Sequence, residues 1–274
     1  ITQSGALTVP GTTSLTAGSA NPLTLANATN DFTGAVTVVS GSALSLADAN
    51  TLKLGGFSGN GALVLSAPTL NITGALSTTN GNATLTTDNL ILGSTLNTGT
   101  GTVTIDTATN SYLIDLGGAS GANTLGITSG YLGNLTAAGL VVGSGSNTGG
   151  ITLSQPFATV VGKFNDLTLA STGNISLGVN INTTATNGNF AANGPVLLTG
   201  AVTIGTGTGN LSLAGTVDGA YALNLQSTGN TTLGGVVGGT TKLASLTTDA
   251  PGTTNLNGGA ITTTGTQTFY ENRT

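Results

Sequence analysis

Few side chains in this sequence could do chemistry. There is no His and no Cys, and Asp48, Asp88, Asp106, Asp115 and Asp218 stand isolated along the chain. Asp88 and Asp106 are the pair worth weighing. They are 18 residues apart (106 − 88), so on a coil of about 20 residues they fall on adjacent turns. Two neighbouring carboxylates could act as the acid and base of glycoside hydrolysis. Asp is also a common turn residue that bonds nearby backbone, and both are read here as turn or outward residues. No catalytic, cofactor-binding or metal-ligating residue is assigned, no cofactor is expected, and the chain is not read as an enzyme.

Other candidate chemistry is weaker still. "GGFSGNG" at Gly55 and "GGASGAN" at Gly117 lack the Asp of the calcium-binding nonapeptide and are expected to be loops. "GTGTGN" at Gly205 lacks the Lys of a phosphate-binding loop and is expected to be a rigid corner. Without Cys there are no disulfides or thiolate metal sites. The net charge is −5, and the basic residues Lys53, Lys163, Lys242 and Arg273 are scattered. Nucleic acid is therefore not expected as a partner, because phosphate neutralisation needs clustered cations. The same scatter disfavours a polysaccharide lyase. No apolar run approaches the ~18 residues of a membrane span. Tyr112, Tyr131, Phe157 and Phe164 could form a sugar-stacking surface. They are read as plugs of a wider core, since large rings are more often buried.

The elements that must position these residues are short. Apolar residues come as triplets with one polar or outward residue between, as in Leu23-Thr24-Leu25, Leu44-Ser45-Leu46 and Leu63-Val64-Leu65. Such alternation marks strands. Gly, Asn, Ser, Thr and Asp lie between them and suit turns. No sustained 3.6-residue period is present, so almost no helix is predicted. A mean hydropathy of +0.29 with 5% charged residues argues against disorder.

The spacing of the triplets indicates a coil. Leu63, Ala83 and Val103 begin triplets 20 residues apart, and looser steps extend this series back to Leu44 and Leu23. A second series runs Val36, Leu52, Leu70, Leu90. Two strands per ~20 residues at constant phase predict an all-β, right-handed parallel β-helix, with thirteen or fourteen turns along a rod of roughly 65 Å. Leu65, Leu85 and Ile105 should then stack along the axis. Asn side chains should stack amide to amide, and Gly should permit the corners. Longer words recur and are expected at equivalent stations. "PGTTSLTAG" at Pro10 returns as "PGTTNLNGG" at Pro251, and "LTLASTGNISLG" at Leu167 as "LNLQSTGNTTLG" at Leu223. Extra residues around 110–131 and 182–193 are expected to form excursions.

Residues 1–274 read as a single β-helix repeat domain, expected to be a piece of a longer chain. "FYENRT" departs from the pattern, where another apolar triplet would follow. The words "ITQSGALTV", "LTLANATNDFTGAVTVVSG", "LSLADANTLKLG" and "FNDLTLASTGNISLG" resemble the repeats of large bacterial exoproteins of the filamentous-haemagglutinin type. The resemblance implies a secreted, cell-surface β-helical rod acting in adhesion, aggregation or biofilm. Open strand edges at both ends would allow end-to-end joining and the rod could pack laterally with copies of itself; a host or bacterial surface glycan or protein is the other partner expected. A β-helical polysaccharide-degrading enzyme or tailspike-like glycan binder is the alternative. An ice-binding protein is the weaker rival, because the outward file Thr24, Ser45, Val64, Thr84, Thr104, Gly126 is too mixed for a repeating ice face.

Overall fold

The computed structural model describes residues 1–270 and the strand Asn272–Arg273. Glu271 and Thr274, in the ending singled out above, lie outside the described residues. The chain is an all-β solenoid of about 12 turns and about 21 residues per turn. A spine sheet of 12 parallel strands runs from Leu23–Leu25 to Asn272–Arg273. At ~4.8 Å per step it is about 53 Å long, shorter than expected because the 110–131 excursion consumes about a turn of chain without adding a rung to the spine.

Alternation decides which side chains enter the core. Leu65, Leu85 and Ile105 are in register on successive strands, each fully buried, as are Leu63, Ala83 and Val103. Truncating the middle of such a column leaves a hole that the coils above and below cannot fill. Leu85→Ala should cost about 2–5 kcal/mol, against less than about 0.5 kcal/mol for the outward Thr84→Ala; urea denaturation followed by circular dichroism checks both.

Each coil has three faces where the triplets predicted two. In the N-terminal half the spine is joined by a flank sheet of five strands and a floor sheet of four. The floor strands, such as Leu76–Ser77 and Leu96–Asn97, are two residues long and offer one inward side chain each. A strand that short leaves no alternation to read. In the C-terminal half the flank and floor are new sheets of six strands each. One step of the second series also moves: Val36 pairs with Leu54, two residues beyond Leu52.

The exchange of sheets coincides with the excursion. After the spine strand Thr102–Asp106 the chain lays down Leu113–Gly117, then Thr124–Thr128 parallel to it, then one helical turn, Ser129–Gly133. Leu113–Gly117 ends up between Thr124–Thr128 and the later strand Ile151–Leu153. The chain thus advances one level and steps back before rejoining the spine at Gly139–Gly143. Gly126 therefore leaves the outward file expected for it. It pairs with Asp115 on the flank, and Val141 takes the place beside Thr104.

Glycine serves this stack chiefly by close approach. A Cβ on Gly215 would lie 2.3 Å from the Gly194 carbonyl oxygen, one on Gly235 2.5 Å from that of Gly215, and one on Gly258 1.8 Å from that of Gly235. Corner glycines form columns in which each backbone rests on the one below.

Candidate functional site

Asp88 and Asp106 are engaged by different partners. Asp106 sits on a spine strand opposite Thr86, and its Oδ1 accepts the N–H of the next residue, Thr107, at 2.8 Å. Asp88 lies at the corner below and is held by the following coil: the Thr109 N–H donates to Oδ1 at 2.8 Å, and the Thr109 hydroxyl to Oδ2 at 2.7 Å. Asp218 and Asp48 follow the rule of Asp88. Asp218 Oδ1 accepts the N–H groups of Thr240 and Thr241, one coil on, at 2.7 and 2.8 Å. Buried Asp48 accepts from the N–H groups of Phe32 at 2.8 Å and Asn50 at 2.7 Å. Asp115, on the excursion, has a buried Oδ1 without a hydrogen-bond partner. Among the described residues no group of three or more His, Cys, Asp or Glu could hold a metal ion.

Asp48, Asp88 and Asp218 stitch coils together. A corner interrupts the regular ladder, so a backbone N–H at the start of the next strand lacks its carbonyl. An Asp or Asn one coil below reaches up to it. Asp166 Oδ1 accepts from the Asn189 N–H at 2.8 Å, Asn189 Oδ1 from the Asn210 N–H at 2.8 Å, and Asn210 Oδ1 from the Asn230 N–H at 3.0 Å. The expected amide-to-amide stacking is thus replaced by side chain to backbone bonds. Asn189 Nδ2 to Asp166 Oδ1, at 3.1 Å, is a side-chain contact within this run.

Buried threonines close the corners from inside. Thr98 Oγ1 donates to the Gly101 carbonyl at 2.9 Å, Thr183 to that of Gly188 at 2.6 Å, and Thr206 to that of Gly209 at 2.8 Å; Thr78 bonds Gly81 in the same way. Thr98→Val keeps the shape and removes one of two donors to the Gly101 carbonyl, which retains the Ala138 N–H at 2.9 Å. It should lower stability by about 0.5–1.5 kcal/mol, read as a lower urea midpoint.

The glycine-rich strings divide. "GGFSGNG" is not a loop throughout: Phe57–Ser58 is a floor strand, and Phe57 is buried beside Leu76. "GGASGAN" forms the connection between the two excursion strands. In "GTGTGN", Thr206 to Gly209 make the expected corner. Phe157 and Phe164 are buried with ring centroids 5.9 Å apart, and Tyr131 packs partly buried against the core. Half-buried Tyr112 borders a polar cleft of about 510 Å³ that also takes in Pro68, Asp88 and Ser120.

Residue-type reasoning missed two fully buried amide centres, Asn30 and Asn147, each with no exposed surface. Asn30 is clamped by Gln3 and by the carbonyls of Leu25 and Ala47. Asn147 joins Thr107, Tyr112, Gly150 and Ser171 where the flank sheet changes. Asn is so common here that no sequence signal separates these two from corner residues.

The outward file of the spine runs Thr24, Ser45, Val64, Thr84, Thr104, Val141, Thr168, Ala191, Ser212, Thr232 and Asn255 in register. These eleven residues carry no charge. Among the described residues no helix is long and apolar enough to cross a membrane.

Stacked parallel coils with recurring Thr, Asn and Gly corners define a β-helical repeat protein. Its residues 1–39 match the model of a family described as repeats of unknown function (DUF5649). No curated protein and no solved structure matches the chain.

Proposed function

We propose that the chain is a stiff rod segment of a secreted bacterial exoprotein of the filamentous-haemagglutinin type, displayed at the cell surface. It acts in adhesion, aggregation or fibre formation through its side faces. The observation that carries this reading is the spine file from Thr24 to Asn255, eleven uncharged, mostly small residues at one spacing of ~4.8 Å. Two such files can meet without desolvating a charge, since the carboxylates on the spine strands, Asp106 and Asp166, lie to either side of the file, and charged groups are what most penalise burial. Asp88 and Asp218 are each occupied in holding backbone of the following coil.

Sedimentation velocity and electron microscopy on the purified chain test the reading. Lateral dimers or bundles are expected, growing with concentration. Thr84→Lys combined with Thr104→Lys and Thr168→Lys should return the rods to monomers with an unchanged circular dichroism spectrum. A wild-type chain that stays monomeric at high concentration, and does not coat bacterial cells when added to them, would overturn the proposal.

A further inference from the structure

The floor of the rod is interrupted at one level. The N-terminal floor sheet ends on Leu135–Thr136, the C-terminal one begins on Phe157–Ala158, and these two strands do not pair with each other. A backbone bond from the Ala137 N–H to the Lys163 carbonyl, at 2.7 Å, crosses the break. A cleft of about 380 Å³ opens there, bordered by Leu132, Pro156, Phe157, Val160, Lys163 and Phe164. That volume lies within the range of about 300–1,000 Å³ usual for small-molecule pockets.

The corner beside this cleft departs from the chemistry of its neighbours. Equivalent corners read Thr78-Thr79-Asn80-Gly81, Thr98-Gly99-Thr100-Gly101 and Thr206-Gly207-Thr208-Gly209. Here the sequence is Thr159-Val160-Val161-Gly162, with the flanking Thr and Gly kept. Val160 is 60% exposed and Val161 74%. A corner needs its Thr and Gly; it gives no packing reason for two adjacent exposed valines. One residue further on, half-buried Lys163 donates from Nζ to the Gly133 carbonyl at 2.6 Å and makes no ion pair among the described residues. An ammonium has three donors, so two remain for an anion at the mouth of an apolar cleft.

We propose that this cleft binds a free aliphatic carboxylate. Its chain would lie among Leu132, Phe157, Val160 and Phe164, and its carboxylate on Lys163 Nζ. The two halves of the site select for the two halves of such a ligand: the apolar walls reward chain length, and the unpaired cation rewards the anionic head.

Isothermal titration calorimetry with the full chain and decanoate, below its micelle concentration, tests this. Affinity should rise by up to about fourfold per methylene from hexanoate to decanoate, and decanol should bind about tenfold more weakly than decanoate. Lys163→Gln should bring decanoate down to the level of decanol while leaving decanol binding and the melting midpoint unchanged. A diazirine-bearing decanoate should label 156–164 in the unaltered chain, a readout independent of any variant. The proposal fails if decanoate does not bind, if affinity ignores chain length, if Lys163→Gln leaves decanoate binding intact, or if the label maps to another part of the rod.

Discussion

Asn147→Leu should destabilise the rod by about 3–5 kcal/mol, among the largest effects of any single polar substitution. Asn147 is fully buried and makes four side-chain bonds. Its Nδ2 donates to Thr107 Oγ1 at 3.1 Å and to the Tyr112 carbonyl at 3.0 Å. Its Oδ1 accepts from the Gly150 N–H at 2.9 Å and from the Ser171 hydroxyl at 2.8 Å. Leucine has similar bulk but no polar atom, so the buried Gly150 N–H and the half-buried Tyr112 carbonyl both lose their partner. Each such orphan costs about 1–3 kcal/mol. Ser171 keeps its second acceptor, the Asn147 carbonyl at 2.9 Å, which moderates the loss. The site also joins the excursion to the coil above it, so the damage should begin there. Hydrogen exchange should accelerate first at 110–117 and 147–153, before the terminal coils respond. A variant within about 1 kcal/mol of the wild type in urea, with unchanged exchange at Gly150, would show that this residue does not hold the junction.

Gly74→Ala should be more damaging still, and for a steric reason. A Cβ at this position would lie 1.2 Å from the Gly55 carbonyl oxygen and 2.4 Å from its carbon. Both atoms belong to backbone, so no side-chain rotation relieves the clash. The coils at 55 and 74 must separate, which breaks the adjoining pairing of Phe57 with Leu76 and exposes two buried side chains. A loss above about 4 kcal/mol is expected, the range reserved for severe core disruption. Gly11→Ala is the matched control, because nothing lies within 4 Å of its added Cβ. It should stay within about 1 kcal/mol of the wild type. Thermal melts, with limited proteolysis between residues 54 and 77, separate the two outcomes. Equal stability of both variants would mean that the glycine columns do not set the distance between coils.

Much of the coil could be read from local pattern. The spine series Leu23, Leu44, Leu63, Ala83, Val103 is in register as expected. Inward and outward positions follow from a two-residue period, and that period is present in any isolated triplet. The long-range echoes misled. Thr13–Thr16, in the first "PGTT" word, lies on the N-terminal flank, while Thr253–Leu256, in the second, lies on the spine. "LTLASTGNISLG" runs from spine to flank, whereas "LNLQSTGNTTLG" runs from floor to spine. Each word encodes a strand, a corner and a strand. Buried Ser171 and Ser227 play matching parts in the two corners, bonding carbonyls of other coils at Asn147 and Gly209.

The candidate site divides in the same way. That the acids are turn residues was legible from their isolation among Gly, Thr and Asn. Which backbone N–H each one holds was not, because the acceptor of Asp88 and the donor at Thr109 are 21 residues apart and meet only when coils stack. The amino-acid sequence by itself determined the triplet strands of the spine and flank, their inward side chains and the corners, since each depends on neighbours within a few residues. The tertiary structure alone decided which of three faces a strand joins, where Leu113–Gly117 is inserted out of chain order, and which Asn becomes a buried junction. The reason is cumulative length. The three faces share one local code, so a strand's face depends on the total number of residues spent in all the corners before it.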